Sequence, residues 1–294
     1  METSTASHYS RRTGRRLPVI RAYLRSIAAF AWIGFGYLFL WAPLIVVIGA
    51  SFDGGSRYAA VSFPPHNPSL QWFFAISPSL FHALKLSALL GLVAALFACI
   101  LGILAALGLV RSGMRGKTFI GAVFRAPMQI PAIVTGVAFL HFYYWLGDVT
   151  GISLTGTFAG LALGHIFVAT PYAIGTIVAI LQRFDPNLEE AALSLGASRW
   201  STFWQVTFPM IKPGVYAGAL YAFMVSFSDV PISIFLTAPG YVTFPVELFF
   251  SMETDINPAN LATATLVIIG SFAAMLFVQW IVGLDTFMRS MSGR

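Results

Sequence analysis

The sequence predicts an all-α polytopic membrane protein with six transmembrane helices and with both termini in the cytoplasm. Of its 294 residues, 57% are hydrophobic and 10% are charged, and the mean hydropathy is +0.79. A typical soluble domain carries about 25% charged residues. A soluble domain of this size cannot bury so much apolar surface, so most of the chain must lie in a bilayer. This composition excludes a disordered chain, a nucleic-acid-binding domain and a disulfide scaffold.

Six apolar stretches are long enough to cross about 30 Å of hydrocarbon, which requires roughly 20 helical residues. Their length and their lack of strict alternation favour helices over the strands of a barrel. Two formal charges fall within them, Arg125 and Asp229. The six stretches are 27–50, 86–110, 119–146, 157–181, 214–236 and 261–284.

The distribution of Lys and Arg predicts the orientation. One side of the membrane receives only Arg57 and Lys85. The positive-inside rule places the more basic side in the cytoplasm, so the formal net charge of +6 is mainly a signal of topology. The basic residues of that side are Arg11, Arg12, Arg15, Arg16, Arg21, Arg25, Arg111, Arg115, Lys117, Arg183, Arg199, Lys212, Arg289 and Arg294.

Small residues recur at intervals of four in three spans, where they allow another helix backbone to approach closely. Such rows serve either packing within the subunit or an interface between subunits. Prolines also interrupt the spans and predict irregular helices that line a cavity or plain kinks. The rows are Gly156, Gly160 and Gly164; Ala94, Ala98, Gly102 and Ala106; and Gly214, Gly218 and Ala222; the prolines are Pro127, Pro131, Pro171 and Pro231.

Several polar residues resemble known sites without completing them. Gly116-Lys117-Thr118 lacks the upstream glycine and the preceding strand of a phosphate-binding loop, so we predict no nucleotide site there. The five histidines are scattered, no metal site is predicted, and His141 and His165 are expected to form hydrogen bonds between helices. The single Cys99 is expected to be a small buried hydrophobic residue.

The longest cytoplasmic connection contains the signals of a short helix over 186–195. Asp185 is a favourable N-cap residue, and Pro186 suits the first helical position. Glu189 and Glu190 fall near the positive end of the helix dipole. Gly196 suits the left-handed residue that closes a helix.

This helix carries an apolar stripe formed by Leu188, Ala191, Ala192 and Leu195. A helix of about ten residues is marginally stable alone in water, so the stripe must pack against something. Two partners remain open at this point: the membrane domain of the same chain, or the groove of a cytoplasmic partner.

The same segment resembles a family motif. Glu190-Ala191-Ala192, three residues, Gly196, nine residues and Val206-Thr207-Phe208-Pro209 are similar to the E-A-A-x3-G-x9-I-x-L-P motif of binding-protein-dependent ABC importer permeases. Val206 and Phe208 replace Ile and Leu conservatively. Segments similar to the spermidine/putrescine-type branch are Phe63-Pro64-Pro65, Ser69-Leu70-Gln71-Trp72, Arg115-Gly116-Lys117, Ile130-Pro131-Ala132-Ile133-Val134, Ser226-Phe227-Ser228-Asp229-Val230 and Thr237-Ala238-Pro239-Gly240.

The resemblance implies a type I ABC importer permease fold in a bacterial inner membrane. It implies a basic cytoplasmic tail (1–26), a first transmembrane helix (27–50) and a periplasmic loop (51–85). These are followed by a permease domain (82–282), which includes the short helix over 186–195 as its coupling helix, and by a cytoplasmic tail (283–294). In that family the coupling helix docks into a cleft of a cytoplasmic ATPase. The coupling residues implied here are Leu188, Glu189, Glu190, Ala191, Ala192, Leu195, Gly196 and Pro209.

The resemblance also implies partners and a transport role. The chain would be a transport subunit and not an enzyme, and it would bind no cofactor itself, because ATP and Mg²⁺ belong to the ATPase dimer. A periplasmic solute-binding protein would deliver the solute, and a second, homologous permease would complete the pathway as a heterodimer. The branch serves polyamines, ferric iron, aminoethylphosphonate and other small solutes, so the branch does not fix the substrate.

Asp229 and Ser228 are the candidate residues of the substrate pathway. Asp229 follows Gly214 by about 22 Å of helix, which places it in the outer half of the membrane. An Asp at membrane depth costs about 2.5–3.5 kcal/mol, so it should face a partner or a wet cavity. It either contacts a cationic substrate or a gate group, or it pairs with a polar group and caps the break before Pro231. Ser228 stands where polyamine permeases often carry a second acid, which weakens a polycation assignment.

Two further interpretations complete the predictions. Arg125 lies close enough to the cytoplasmic end of its span to reach the aqueous phase. The aromatic residues near the outer face are expected to form an interfacial belt rather than a substrate cage; they are Tyr143, Tyr144, Trp145, Phe249 and Phe250. The alternative function is an ATP-independent secondary transporter or channel, which would not need a capped cytoplasmic helix with an apolar stripe.

Overall fold

The computed structural model describes the backbone of residues 16–55, 62–254 and 258–292, and side chains in these ranges except at 16–25, 254, 277–279 and 281–292. The first 15 residues of the predicted tail, Arg57 of the outer loop and Arg294 therefore lie outside the described residues. Two compact units divide the chain, the first ending at Trp72 and the second beginning at Phe73. In the described part of the chain, six helices are long and apolar enough to cross a membrane.

The described helices are α1 (Arg16–Ala50), α2 (Gln71–Phe74), α3 (Pro78–Arg111), α4 (Lys117–Arg125), α5 (Ala132–Thr150), α6 (Phe158–Leu181), α7 (Asn187–Ser194), α8 (Arg199–Thr202), α9 (Phe208–Phe227), α10 (Pro231–Leu236), α11 (Phe244–Thr254) and α12 (Pro258–Ser292).

The first unit contains α1 and a short loop stabilised by Asp53. Helix α1 begins at Arg16, ahead of the apolar run, and its candidate membrane span, Ser26–Ala50, agrees with the predicted span over 27–50. In the loop, an antiparallel bridge joins Asp53 to Pro68. The Asp53 carboxylate accepts hydrogen bonds from the Ser62 hydroxyl and, at 3.2 Å, from the His66 amide. The Ser62 hydroxyl, by donating to this carboxylate, lowers the pKa of Asp53.

The core of the second unit is formed by α3, α6 and α9, which contact one another through small residues. Ala94, Ala98, Ala173 and Ala222 are all fully buried where the three helices meet. A Cβ added at Gly218 would lie 3.2 Å from the Cα of Ala173. Side chains this small allow the backbones to approach closely. Van der Waals packing then stabilises the contact, because the hydrophobic effect does not drive helices together inside a bilayer.

The three rows of small residues serve packing within this unit. A Cβ at Gly102 would lie 3.2 Å from the Cβ of Ala173 on α6, and one at Gly214 would lie 3.1 Å from the carbonyl oxygen of Thr176 on the same helix. Gly164 of α6 faces the side chain of Leu236 on α10. These close approaches decide between the two interpretations of the rows in favour of intra-subunit contacts.

Two predicted spans are broken, as the prolines indicated. The third consists of α4, a 3₁₀ turn (Ala126–Met128) and α5, so Pro127 and Pro131 both lie at the interruption. The fifth ends as α9 at Phe227 and resumes as α10 at Pro231. At Pro171, by contrast, α6 continues as one helix, so of the two predicted alternatives a break does not occur there.

The last span also differs from its predicted limits. Helix α12 begins at Pro258 and continues to Ser292, so the backbone of the predicted tail from residue 283 onward is helical as far as the structure describes it. Helix α11, which precedes it, packs against α3. The Phe244 amide at its start donates to the Ser87 hydroxyl at 2.7 Å, in a buried contact between the two helices.

Candidate functional site

Helix α7 forms in the cytoplasmic connection at the predicted place and is slightly shorter than predicted. It covers Asn187–Ser194, whereas the sequence indicated 186–195. The Asp185 carboxylate accepts a hydrogen bond from the Asn187 amide at 3.0 Å, and Pro186 occupies the N-cap position. Asp185 was predicted to be the N-cap residue, but it precedes the N-cap by one position. Its carboxylate still accepts a hydrogen bond from an amide of the first turn that would otherwise have no partner within the helix.

A Schellman motif ends α7, and Gly196 is its left-handed residue. The φ angle of Gly196 is 90°. The Ala197 amide donates to the Ala192 carbonyl at 3.1 Å, and the Gly196 amide donates to the Leu193 carbonyl at 3.0 Å. These two bonds define the motif, and glycine suits it because it has no Cβ penalty at positive φ. The predicted closing role of Gly196 is confirmed.

Glu189 fastens α7 to the ends of two other helical segments. Its Oε2 lies 3.0 Å from Nε of Arg111, the last residue of α3. Its Oε1 accepts a hydrogen bond of 2.7 Å from the hydroxyl of Thr207, the last residue of a π-helical turn (Phe203–Thr207). The Arg111 guanidinium also lies over the Phe184 ring, 5.0 Å from its centroid. About four-fifths of each charged side chain is shielded from solvent, so removal of either partner would leave the other as a shielded charge without this ion pair.

The opposite surface of α7 is exposed. Leu195 is 89% exposed and Leu188 is 48% exposed, and Ala191 is exposed as well. Of the predicted stripe, only Ala192 is partly covered. The chain's own membrane domain therefore does not cover the stripe in this structure, although packing there was one of the two interpretations. Glu190, next to Glu189, is exposed.

The downstream part of the motif is helical and aromatic. Helix α8, the π-helical turn and α9 follow one another without an interruption, and Pro209 is half-buried in the first turn of α9. Trp200, Phe203, Trp204 and Phe208 form ring contacts with centroids 5.0–6.3 Å apart. Pro209 thus belongs to the base of α9 and not to α7.

Asp229 lies in the break between α9 and α10. Its Oδ2 accepts hydrogen bonds from the amide of Ile232 at 3.1 Å and from the amide of Ser233 at 2.9 Å. The carboxylate therefore caps α10, the arrangement expected for an acid at a helix N-terminus. Asp229 remains partly exposed, and Ser228 beside it is exposed while its hydroxyl donates to the Met224 carbonyl.

A buried histidine continues this polar group toward α6. His165 is fully buried, with Nε2 3.1 Å from the Ser233 hydroxyl and Nδ1 2.8 Å from the Ser226 hydroxyl. The Ser233 hydroxyl lies 3.1 Å from the carbonyl oxygen and 3.2 Å from the carboxylate of Asp229, and neither of these oxygens can donate. Ser233 must therefore donate to Asp229 and accept from His165 Nε2. The predicted inter-helix hydrogen bonding of His165 is confirmed, whereas His141 is exposed.

The predicted aromatic belt and Arg125 differ in how far their side chains are exposed. Tyr143 is buried and donates to the Gly160 carbonyl at 2.7 Å, so it belongs to the core and not to an interfacial belt. The other four aromatic residues of that prediction are exposed, among them Tyr144 and Trp145. Arg125 is exposed at the end of α4, before the 3₁₀ turn.

In the described part of the chain, six apolar helices, a break in the fifth span and a short connecting helix with an exposed apolar surface are typical of a membrane permease. Residues 98–283 match the family described as binding-protein-dependent transport system inner membrane component. The chain belongs to this family and is the permease subunit of a binding-protein-dependent ABC importer. The ATP-independent alternative is thereby set aside.

Relatives support this assignment over most of the chain. The chain is 31% identical over 267 residues to the putrescine transport system permease protein PotI of Escherichia coli (strain K12), covering 90% of this chain and 92% of that protein. It is 32% identical over 263 residues to the spermidine/putrescine transport system permease protein PotC of Haemophilus influenzae, covering 89% and 97%.

Solved structures show the same fold. A bacterial ABC transporter for the import of the acidic polysaccharide alginate matches with a TM-score of 0.65 at 18% identity, covering 96% of this chain and 99% of that chain. The same type of transporter in complex with an alginate-pentasaccharide-bound periplasmic protein matches with a TM-score of 0.66, covering 90% and 94%. At this identity the likeness shows the type I importer fold alone.

Proposed function

We propose that this permease lies in a bacterial inner membrane and forms half of the pathway of an importer for small polyamines. A cytoplasmic ATPase dimer, which carries ATP and Mg²⁺, would receive α7 in a cleft. A periplasmic binding protein would deliver the solute, and a second, homologous permease would supply the other half. The chain itself would bind no cofactor and perform no catalysis.

The observation that supports ATPase docking is the contrast between the two surfaces of α7. Glu189 is held by Arg111 and Thr207, while Leu188 and Leu195 are exposed on a segment that the charge distribution places in the cytoplasm. Exposed leucines on a short, capped helix fit the groove of a protein partner. Motion of the partner would reach α3 and α9 through the Glu189 contacts, because α7 is tied to both.

The docking proposal is tested with a charge placed on the exposed surface. We expect Leu195→Glu to weaken binding of the partner ATPase at least tenfold, since burying one leucine contributes about 1.5–3 kcal/mol and 1.4 kcal/mol is a factor of ten. The measurement is co-purification of the ATPase from membranes. Met114→Glu, at an exposed apolar residue of the other cytoplasmic loop, is the matched control. Equal losses in both variants, or none in Leu195→Glu, would contradict docking through α7.

The polyamine proposal rests on the named relatives and on Asp229. The relatives that cover about nine-tenths of this chain are described as transporting putrescine or spermidine and putrescine. Asp229 places a partly exposed carboxylate in the break of the fifth span, and irregular backbone at membrane depth is tolerated where it is buried in protein or lines a water-filled cavity. A cationic amine is the solute such a group attracts. The neighbouring Ser228 supplies a hydroxyl instead of a second charge, so we expect the attraction to be weaker than with paired acids.

Uptake into proteoliposomes that contain the complete importer tests the substrate. We expect ATP-dependent uptake of putrescine or spermidine. In Asp229→Asn we expect a several-fold higher KM for uptake, while stimulation of the ATPase through α7 stays as in the wild type. Asn preserves much of a cap while it removes the charge, so the variant isolates electrostatics. Ser228→Ala is the neutral control. An unchanged KM excludes substrate contact by Asp229, and uptake of ferric iron or aminoethylphosphonate instead of a polyamine refutes the substrate class.

A further inference from the structure

A polar cavity of about 470 Å³ lies between the cytoplasmic ends of α3, α4 and α6. It is separate from the Asp229 network and from the exposed surface of α7. Its polar lining consists of Lys117, Thr118, Arg125 and Gln182. The positive-inside distribution places the loop before Lys117 and the loop after Gln182 in the cytoplasm, so the cavity lies near the inner membrane interface.

The charge of this cavity is positive. Lys117 and Arg125 both line it, and none of its described lining residues is acidic. Lys117 Nζ lies 3.5 Å from the Val110 carbonyl, a long contact that leaves the ammonium two further donors. Two cations on one helix that share a partly enclosed space repel each other, and an anion between them would remove that repulsion. The Thr118 hydroxyl and the Gln182 amide add neutral donors.

The floor of the cavity is formed by small residues of α6. Gly175 and Ala179 lie one turn apart, both exposed, and lead to Gln182. A Cβ added at Gly175 would meet nothing within 4 Å. At Gly121 of α4, the atoms nearest to an added Cβ would be Nη2 of Arg125 at 3.9 Å and a side-chain carbon of Leu109 at 4.0 Å. The space beside Gly175 is therefore open to a phosphate-sized group, and the Arg125 guanidinium borders the cavity at Gly121.

We propose that this cavity binds a phosphate-bearing anion, with Lys117 and Arg125 as its charged ligands. Arg presents paired donors that match phosphate oxygens, and Lys adds a compact charge. Basic pockets between transmembrane helices on the cytoplasmic side suit anionic lipid headgroups in this way. The phosphate can come from such a headgroup or from free phosphate in the cytoplasm. The proposal does not depend on the transported solute or on the docking of α7.

Two variants test the site by different routes. Lys117→Gln combined with Arg125→Gln removes the charges and keeps polar side chains. Gly175→Met fills the cavity without changing any charge, and a longer side chain meets no neighbouring atom at its Cβ there. Arg115→Gln combined with Arg183→Gln removes the same charge from exposed basic residues of the same side that do not line the cavity.

The measurement is native mass spectrometry of the full chain released from nanodiscs of equal parts phosphatidylglycerol and phosphatidylcholine, followed by titration with inorganic phosphate. We expect retained phosphatidylglycerol to fall at least fivefold in both site variants and to stay within twofold of wild type in the control. Phosphatidylglycerol that resists inorganic phosphate identifies the lipid headgroup as ligand, and its displacement by millimolar phosphate identifies a general phosphate site. Equal retention in all proteins, or an equal loss in the control, overturns the proposal.

Discussion

Glu189 gives the sharpest test of how α7 is held. Its carboxylate makes two contacts at once, 3.0 Å to Arg111 Nε and 2.7 Å to the Thr207 hydroxyl. Exposed ion pairs contribute about 0–1 kcal/mol, whereas hydrogen bonds to charged groups contribute about 1.5–3 kcal/mol. The Glu189 side chain is only 19% exposed, so we expect Glu189→Ala to cost α7 about 2 kcal/mol of local stability. That corresponds to a roughly 30-fold larger fraction of released α7.

Hydrogen exchange resolved by peptide is the assay, because local opening sets the exchange rate of α7 amides. Exchange over 187–196 should quicken about 30-fold in Glu189→Ala while the core of α3 and α6 is unaffected. ATP-driven uptake should fall with it, because a released helix no longer passes motion to α3 and α9. Glu190→Ala is the control, since it removes an exposed carboxylate from the same helix. The reasoning is refuted if both variants exchange alike, or if Arg111→Gln and Glu189→Ala are additive in a double-mutant cycle.

Three further predictions concern backbone, core and pH. Gly196→Val should lose about 1–2 kcal/mol of α7 stability and reduce ATPase stimulation, because valine disfavours the positive φ; Gly113→Val, in open space, should not, and equal activities would count against the Schellman cap. His165→Leu should lower the unfolding free energy by about 1–3 kcal/mol, because it removes the hydrogen-bond partner of the buried Ser226 hydroxyl while Ser233 keeps its contact with Asp229; an unchanged Tm would contradict the network. The pKa of Asp53 is lowered on folding, so its stabilising contribution is present above about pH 3.8 and is lost as the pH falls through the lowered value. The protection factors of the outer-loop amides should therefore be steady from pH 7 to pH 5 and should fall in Asp53→Asn at neutral pH, with Asp148→Asn as control; equal protection in both variants would exclude the carboxylate.

The sequence determined the topology and the coupling helix because their signals are local. Apolar length gives a span regardless of its neighbours, and the Lys and Arg count gives its orientation. The limits of α7 follow from Pro186 and Gly196, whose backbone preferences act within one turn. The motif spacing could then identify the family, since it joins a local helix to the base of α9 at a fixed distance.

The tertiary structure decided which surface each residue faces and which partner it meets. Glu189 and Glu190 are neighbouring residues of the same type, and the sequence does not distinguish their roles. The positions of Arg111 and Thr207 give Glu189 its two contacts, whereas Glu190 is exposed. The sequence left two roles open for Asp229, and the tertiary structure shows the second: α9 ends before it, and its carboxylate caps α10 at the break before Pro231. Hydrophobic periodicity cannot report such a break, because the residues on both sides of it are equally apolar.

By itself, then, this sequence fixes a six-span membrane protein with a capped cytoplasmic helix, since hydrophobic length, charge bias and helix caps act over short distances along the chain. The close packing of α3, α6 and α9, the link from His165 to Asp229 and the basic cavity at Lys117 and Arg125 are decided by the tertiary structure. Each of these three features joins residues that are remote in sequence or separated by a break in a helix. Their contacts depend on distances of a few ångströms, which no local sequence pattern encodes.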